Sequence, residues 1–304
     1  MSQPLVVLLQ CLLNVAAALL LSPLYEGVLR KVRAAIHSRI GPPVTQPYWD
    51  LLKLLGKEDL RSVGGVVYAI LPALVLGSTM LLATLIPMGA TAPLSFAGDM
   101  IAVLYVAALG SVLIMLNAYA SGSPYAYIGS SREMMMALSV EPILAIALVV
   151  GSLKAGTLAL GGMARYQLQT GPSISMIIAG FAFFLALQAQ AGKLPFDIAE
   201  ADQEIMGGPL VEQSGPRLAL LRWAMWVKQL VLAFLLVEVF VPWPRFGILP
   251  VDLVVSAVKV LVVLLLVEVV EVVNPRLRID QAMGYFVRVG LVSLSALAFA
   301  VIGR

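Results

Sequence analysis

Residues 193–215 read KLPFDIAEADQEIMGGPLVEQSG and carry five carboxylates: Asp197, Glu200, Asp202, Glu204 and Glu212. Acids gathered at this density can relay protons, hold a cation or form a solvated face. If 197–206 is helical after the Leu-Pro-Phe break, Asp197, Glu200 and Glu204 fall on one stripe within about 60°, and Asp202 points elsewhere. Like charges at helical spacing repel. The stripe therefore calls for a cationic partner, abundant water or partly protonated carboxyls, although an isolated solvated acidic face fits the same spacing.

A second set of ionisable residues lies inside apolar runs: Glu133 and Glu141, then Lys228 and Glu238, then Lys259, Glu268 and Glu271. A charge near the centre of a bilayer costs at least about 2.5–3.5 kcal/mol, so such residues pair or line a polar path. Lys259 and Glu238 read as the deepest. Arg132, Glu133 and Glu271 lie at run boundaries, where a snorkelling charge is an equally good account. Glu141 is followed by Pro142, which removes a backbone donor and frees a carbonyl one turn back. Interrupted helices at membrane depth mark ion paths in many transporters. Gln188 and Gln190 continue the polar trail toward Lys193. A proton or cation path explains these groups better than structural pairing alone, which is the alternative.

The elements that must position these groups are apolar. The chain has 304 residues, 61% hydrophobic and 12% charged, with a mean hydropathy of +0.97. About 20 apolar residues span a bilayer as a helix. Eight stretches qualify, at 5–25, 64–87, 100–120, 134–153, 173–191, 218–241, 251–272 and 284–302. The expected fold is all-α: a polytopic membrane protein of about eight transmembrane helices, forming one domain over 1–304. The first stretch lacks a basic segment before it and reads as a span, not a cleaved leader.

Two hydrophilic segments are large, 26–62 and 192–217. The first contains the amphipathic run YWDLLKLLGK, suited to a membrane or protein surface. With eight spans both termini share one side. Fourteen Lys and Arg, Arg39 and Arg61 among them, then lie on the side of the large loops, in the loops after spans 1, 3, 5 and 7 and their helix ends; only Lys154, Arg165, Arg245 and Arg304 lie on the other side. The positive-inside rule puts the large loops in the cytoplasm of a multi-pass protein of the inner (plasma) membrane, with the termini outside. The net charge of +3 orients the chain in a bilayer and does not suggest nucleic acid.

One cysteine and one histidine are too few for an iron–sulfur cluster or a zinc site within this chain. The phosphate-loop, GxGxxG and HExxH patterns are missing. Redox or nucleotide chemistry must therefore belong to a partner, and no catalytic, metal or cofactor-binding residue is expected here.

Four ordered motifs carry a resemblance over nearly the whole chain: Arg39-Ile-Gly41-Pro42 followed by QPYWDLLKLLGKED, GSP…IGSSRE…VEP at 122–142, GKLPFDIAEADQE…GPLVEQSG at 192–215, and RLRIDQ at 276–281. They resemble the membrane anchor subunit of group 4 membrane-bound nickel–iron hydrogenases of the formate hydrogenlyase type. That subunit is itself similar to subunit 1 of the respiratory NADH–quinone oxidoreductase (complex I). The resemblance implies a non-catalytic subunit that anchors a redox module and couples electron transfer to proton or sodium translocation. The nickel–iron centre and iron–sulfur clusters would sit in hydrogenase large and small subunits, beside antiporter-like membrane subunits. It maps the acidic path onto Glu133, Glu141, Asp197, Glu200, Glu204 and Glu212, and redox-module docking onto Arg39, Gly41 and Pro42. Lys228, Glu238, Lys259 and Glu268 complete the expected ion path. One departure from the pattern that the resemblance implies is Gln190, where most members of that family carry Glu; an amide neither takes up nor releases a proton near neutral pH. The rival readings are the equivalent subunit of a quinone- or sulfur-reducing complex, and a stand-alone ion transporter.

Overall fold

The computed structural model describes residues 3–60, 65–89, 92–96 and 99–303. Arg61 and Arg304, counted in the charge asymmetry, lie outside the described residues. All regular structure described is helical: α1 Gln3–Ile36, α2 Gln46–Leu55, α3 Val66–Leu85, α4 Asp99–Ala120, α5 Pro124–Ala155, α6 Leu160–Thr170, α7 Ile174–Gln190, α8 Asp202–Ile205, α9 Gly215–Phe240, α10 Leu249–Val273 and α11 Ile279–Ile302. Seven of these are long and apolar enough to cross a membrane. The eighth expected span is α7, whose 17 residues are at the short end of the spanning range of roughly 17–25.

Helix ends differ most from the apolar stretches at α1 and α5. α1 runs on to Ile36 and α5 starts at Pro124, because the charged extensions remain good helix formers beyond the apolar run. Glu133 is thus well inside a helix, and Glu141 is near the middle of α5.

The packing centres on α9, in which every residue from Val227 to Phe240 is buried. It touches α1, α2, α3, α6, α7 and α10. Pro23 inside α1 lacks an N–H and leaves the Leu19 carbonyl without its usual donor. The Trp223 Nε1–H of α9 takes that carbonyl at 3.0 Å, and the Tyr48 hydroxyl of α2 bonds the neighbouring Leu20 carbonyl. The proline thus supplies the attachment point for α9, and the next carbonyl along that for α2. Amphipathic α2 buries Pro47 and Leu51 and leaves Trp49 and Leu52 exposed.

Long-range contacts sort the connections into two ends. At one, Leu277 N–H donates to the Pro195 carbonyl, Arg217 pairs with Asp59 and Tyr68 Oη–H donates to the Glu212 carbonyl. At the other, Leu160 N–H donates to Asp99 and Trp243 Nε1–H to the Gln167 carbonyl.

The acidic loop is not the helix that its spacing allowed. Within 197–206 only Asp202–Ile205 is helical, so Asp197, Glu200 and Glu204 form no stripe. Pro195 interrupts the backbone, and Ala201 and Met206 take positive φ of 34° and 56°, which a helix cannot contain. The loop instead lies against α5 at a pair of glycines. A Cβ on Gly129 would come within 2.7 Å of the Gly208 Cα, and one on Gly208 within 2.0 Å of the Ala199 carbonyl oxygen.

Candidate functional site

This close approach sets the loop's carboxylates against the bundle. Glu133 of α5, Lys228 of α9, Gln190 at the end of α7, and Asp197 and Glu200 of the loop line one cavity of about 50 Å3. That is room for a few water molecules. The Lys228 ammonium donates to Ser111 Oγ of α4 at 3.0 Å, and Glu133 and Glu141 are the carboxylates within its electrostatic reach. Burial, reinforced by Asp197, Glu133 and Asp202, pushes the Glu200 carboxyl up to about 8. Burial also raises Asp197 above its ordinary value, against the Ala201 N–H and the Arg276 guanidinium. Near neutral pH Glu200 is therefore mostly protonated in place, as a proton-exchanging group requires.

Glu200 also faces a larger vestibule of about 530 Å3 that opens outward, shared with Asp202, Lys193, Arg222 and Trp226. One wall of the vestibule is an ion-pair network. The Lys193 ammonium lies 2.9 Å from Glu268 and 3.5 Å from both Glu26 and Glu271. Arg33 Nη2 lies 2.7 Å from Glu271, and its Nε 2.5 Å from Glu268. Arg30 bridges Glu26 and Asp50. Burial alone would depress the Lys193 ammonium, but Glu26, Glu271 and Glu268 outweigh it and hold its pKa above the ordinary lysine value. Glu268 thus joins α10 to α1 and the loop. Its partner Arg33, and Glu26, which pairs with Lys193, were not singled out from sequence as site residues, although Glu26, Arg30 and Arg33 follow helical spacing along one face of α1.

The other acids of the loop are separate. Glu204 is exposed and clamped by Arg132 Nη1 at 2.7 Å and Arg276 Nη1 at 3.6 Å. The Arg132 hydrogen bond, with Arg276 behind it, lowers the pKa of its carboxyl. Glu212 lines neither cavity and contributes its backbone carbonyl to Tyr68.

Glu238 and Lys259, expected as the deepest charges, are near the opposite end. Glu238 is two residues from the end of α9; its carboxylate accepts from Gly89 N–H at 3.1 Å and Ser256 Oγ–H at 2.7 Å. Lys259 snorkels to the carbonyls of Val241, Pro242 and Pro244 at 3.0–3.3 Å. The long lysine stem carries the charge out of the bundle, so Lys228, halfway along α9, is the deep cation.

Arg39 and Pro42 are exposed on a segment folded back on α1. There the Arg39 N–H donates to the Ala34 carbonyl at 2.8 Å, and a Cβ on Gly41 would come within 2.8 Å of the Ala34 Cβ. This segment lines neither cavity and faces outward at the end that carries the vestibule. Among the described residues, no group of three or more His, Cys, Asp or Glu side chains is arranged to hold a metal ion.

A family model describing NADH dehydrogenase matches residues 9–302. Formate hydrogenlyase subunit 4 of Escherichia coli is 36% identical over 282 residues, covering 90% of this chain and 91% of that one. An NADH-quinone oxidoreductase subunit of Thermomicrobium roseum is 34% identical over 239 residues, 69% of this chain and 70% of the relative. Among solved structures, a chain of the membrane-bound sulfane sulfur reductase, an archaeal respiratory membrane complex, superposes with a TM-score of 0.88. Its identity is 31%, and the match covers 97% of this chain and 99% of that one.

Proposed function

The chain belongs to the NADH dehydrogenase family, and on that premise we propose that it is the membrane subunit of an energy-converting oxidoreductase of the formate hydrogenlyase type. In this reading it has no redox centre of its own. A hydrogenase module, with its nickel–iron centre and iron–sulfur clusters in large and small subunits, docks on the end built from 26–62 and 192–217, with Arg39, Gly41 and Pro42 beneath it. That end faces the cytoplasm of the inner membrane, the termini face outward, and antiporter-like subunits lie alongside in the bilayer. The observation that carries the proposal is the meeting of Glu133, Glu200 and Lys228 around one small cavity beside an open vestibule. A redox-linked change in charge or shape at the vestibule alters the proton occupancy of Glu200, and the cavity passes that change to Lys228 and Glu141. Glu238 and Lys259 close the opposite end.

The test is Glu133→Gln in the intact complex, reconstituted in vesicles. Dye-linked hydrogen oxidation is expected to persist while ion pumping is lost; undiminished pumping overturns the path. The likeness to a sulfane sulfur reductase chain favours one second reading, the same role beneath a sulfur-reducing module. Nickel in the purified complex separates the two. Ion flux by this chain alone in liposomes would instead identify a stand-alone transporter.

A further inference from the structure

The Lys259 ammonium of α10 meets the backbone carbonyls of Val241, Pro242 and Pro244 at 3.2, 3.0 and 3.3 Å. An ammonium has three N–H donors, so one short stretch of chain, 241–244, satisfies its whole donor set. This stretch follows the end of α9, where the helix dipole adds negative potential. Pro242 and Pro244 have no N–H and do not continue the helix. The break leaves the carbonyl oxygens here without the donors that further helical turns would bring.

The oxygens are held by contacts that do not involve Lys259. Trp243 Nε1–H donates to the Gln167 carbonyl of α6 at 3.1 Å, and Arg245 Nη2 donates to the Gly89 carbonyl at 3.4 Å. The Phe246 and Gly247 N–H groups donate to Asp252 at 2.7 and 3.1 Å. The nearby carboxylates are themselves engaged. Glu238 accepts from Gly89 N–H and Ser256 Oγ–H, and Arg245 stands 4.0 Å from both Glu238 and Asp252. Both acids add negative potential at Lys259 and Arg245 opposes it, but the direct partners of the ammonium are carbonyls. Oxygens converging on one point repel one another unless a cation stands between them. Rings of backbone carbonyls replace the hydration shell of potassium in channel filters, and ammonium is close to potassium in size.

We propose that 241–244 forms a cradle for a monovalent cation of potassium or ammonium size, and that Lys259 is its tethered occupant. The covalent stem keeps the ammonium in the cradle and free alkali ions out of this end of the bundle. Lys259 is then a built-in counterion and not a carrier of protons. The inference holds whichever redox module docks at the other end and does not draw on the proposed ion path.

The test is Lys259→Ala in the intact complex, which removes the ammonium and opens room for a free cation. Thermal midpoints are compared in choline, sodium, potassium, ammonium and n-propylammonium chlorides at one ionic strength. In choline the variant should melt several degrees below the parent. Potassium, ammonium and propylammonium should restore most of that loss with a saturating dose dependence, as a ligand of the folded state does. The parent should melt alike in all five salts. Lys259→Met drops the charge but leaves a methyl close to the ammonium position, so its recovery should be several-fold smaller. Lys259→Ser gives the same comparison if the alanine complex does not assemble. A map of the alanine or serine variant in rubidium chloride should show density within coordination distance of the 241, 242 and 244 carbonyls. Equal midpoints in all salts, an equal gain in the parent, or no rubidium density at these oxygens would each overturn the proposal. No readout involves pumping, so such a failure leaves the proposed ion path standing.

Discussion

The Lys193 ammonium donates a 2.9 Å hydrogen bond to the Glu268 carboxylate across 75 positions of sequence. The contact ties the acidic loop electrostatically to α10 and, through Glu26, to α1. Lys193 belongs to the KLPFD motif, so the residues that position Asp197 and Glu200 also neutralise a buried trio of glutamates.

Lys193→Met should therefore damage the fold as well as the path. It leaves Glu26, Glu268 and Glu271 with Arg33 and Arg30 as the remaining cations nearby, and stranding buried charge in this way costs about 3–5 kcal/mol. The thermal midpoint of the purified complex should fall by several degrees. Lys193→Met combined with Glu268→Gln should recover part of the loss, because the stranded charge is removed with its partner.

The raised pKa of Glu200 has a definite sign. Its carboxyl titrates near 8 in place, against an ordinary value of 4.5. Between these two values the folded chain keeps a proton that the unfolded chain has released. The stability contributed at Glu200 is thus greatest at low pH, falls as pH rises through that window and levels off above it. Glu200→Gln should flatten the dependence, and the variant should melt above the parent at about pH 9 and close to it at about pH 5. Infrared difference spectra should show a protonated carboxyl that titrates near 8 in the parent and is missing from the variant.

Gly208→Ala tests the seating of the loop. Gly208 has φ of +49°, and a Cβ there would come within 2.0 Å of the Ala199 carbonyl. The backbone conformation alone costs a non-glycine residue about 1–2 kcal/mol, and the clash forces the segment carrying Glu200 off α5. Dye-linked oxidoreduction should persist, ions moved per electron should drop, and the amides of 196–209 should exchange faster with solvent. Normal coupling in this variant would show that the seating is not required.

The apolar stretches located eight helices, because hydrophobicity decides which segments enter a bilayer. They did not locate helix ends: α1 and α5 continue through charged sequence, where side-chain pairing takes over from burial. The acidic stripe failed for a local reason. Periodicity over ten residues cannot register Ala201 and Met206 at positive φ, which tertiary contact with α5 imposes. Glu133, Glu141 and Lys228 were recognisable as acids and a base in apolar surroundings. The meeting of Glu133 and Lys228 with Asp197 and Glu200 depends on a loop crossing at Gly129, whose only trace in the sequence is one glycine among many. Lys259 was misjudged because depth was assigned from the Cα position, whereas its flexible stem puts the charge near the end of α9.

The central position of Lys228 also has an electrical meaning. It follows Gly215 by thirteen residues and precedes Phe240 by twelve, so its ammonium lies near mid-field when the membrane is energised. Moving one elementary charge between the vestibule and that level does work against roughly half the membrane voltage, about 1.2 kcal/mol per 100 mV. Glu200 lines the same small cavity as Lys228 and also faces the vestibule, so its own proton exchange meets part of that field. In the proposed path, loading at Glu200 would therefore respond to both vestibule pH and voltage, and transfer to Lys228 to voltage.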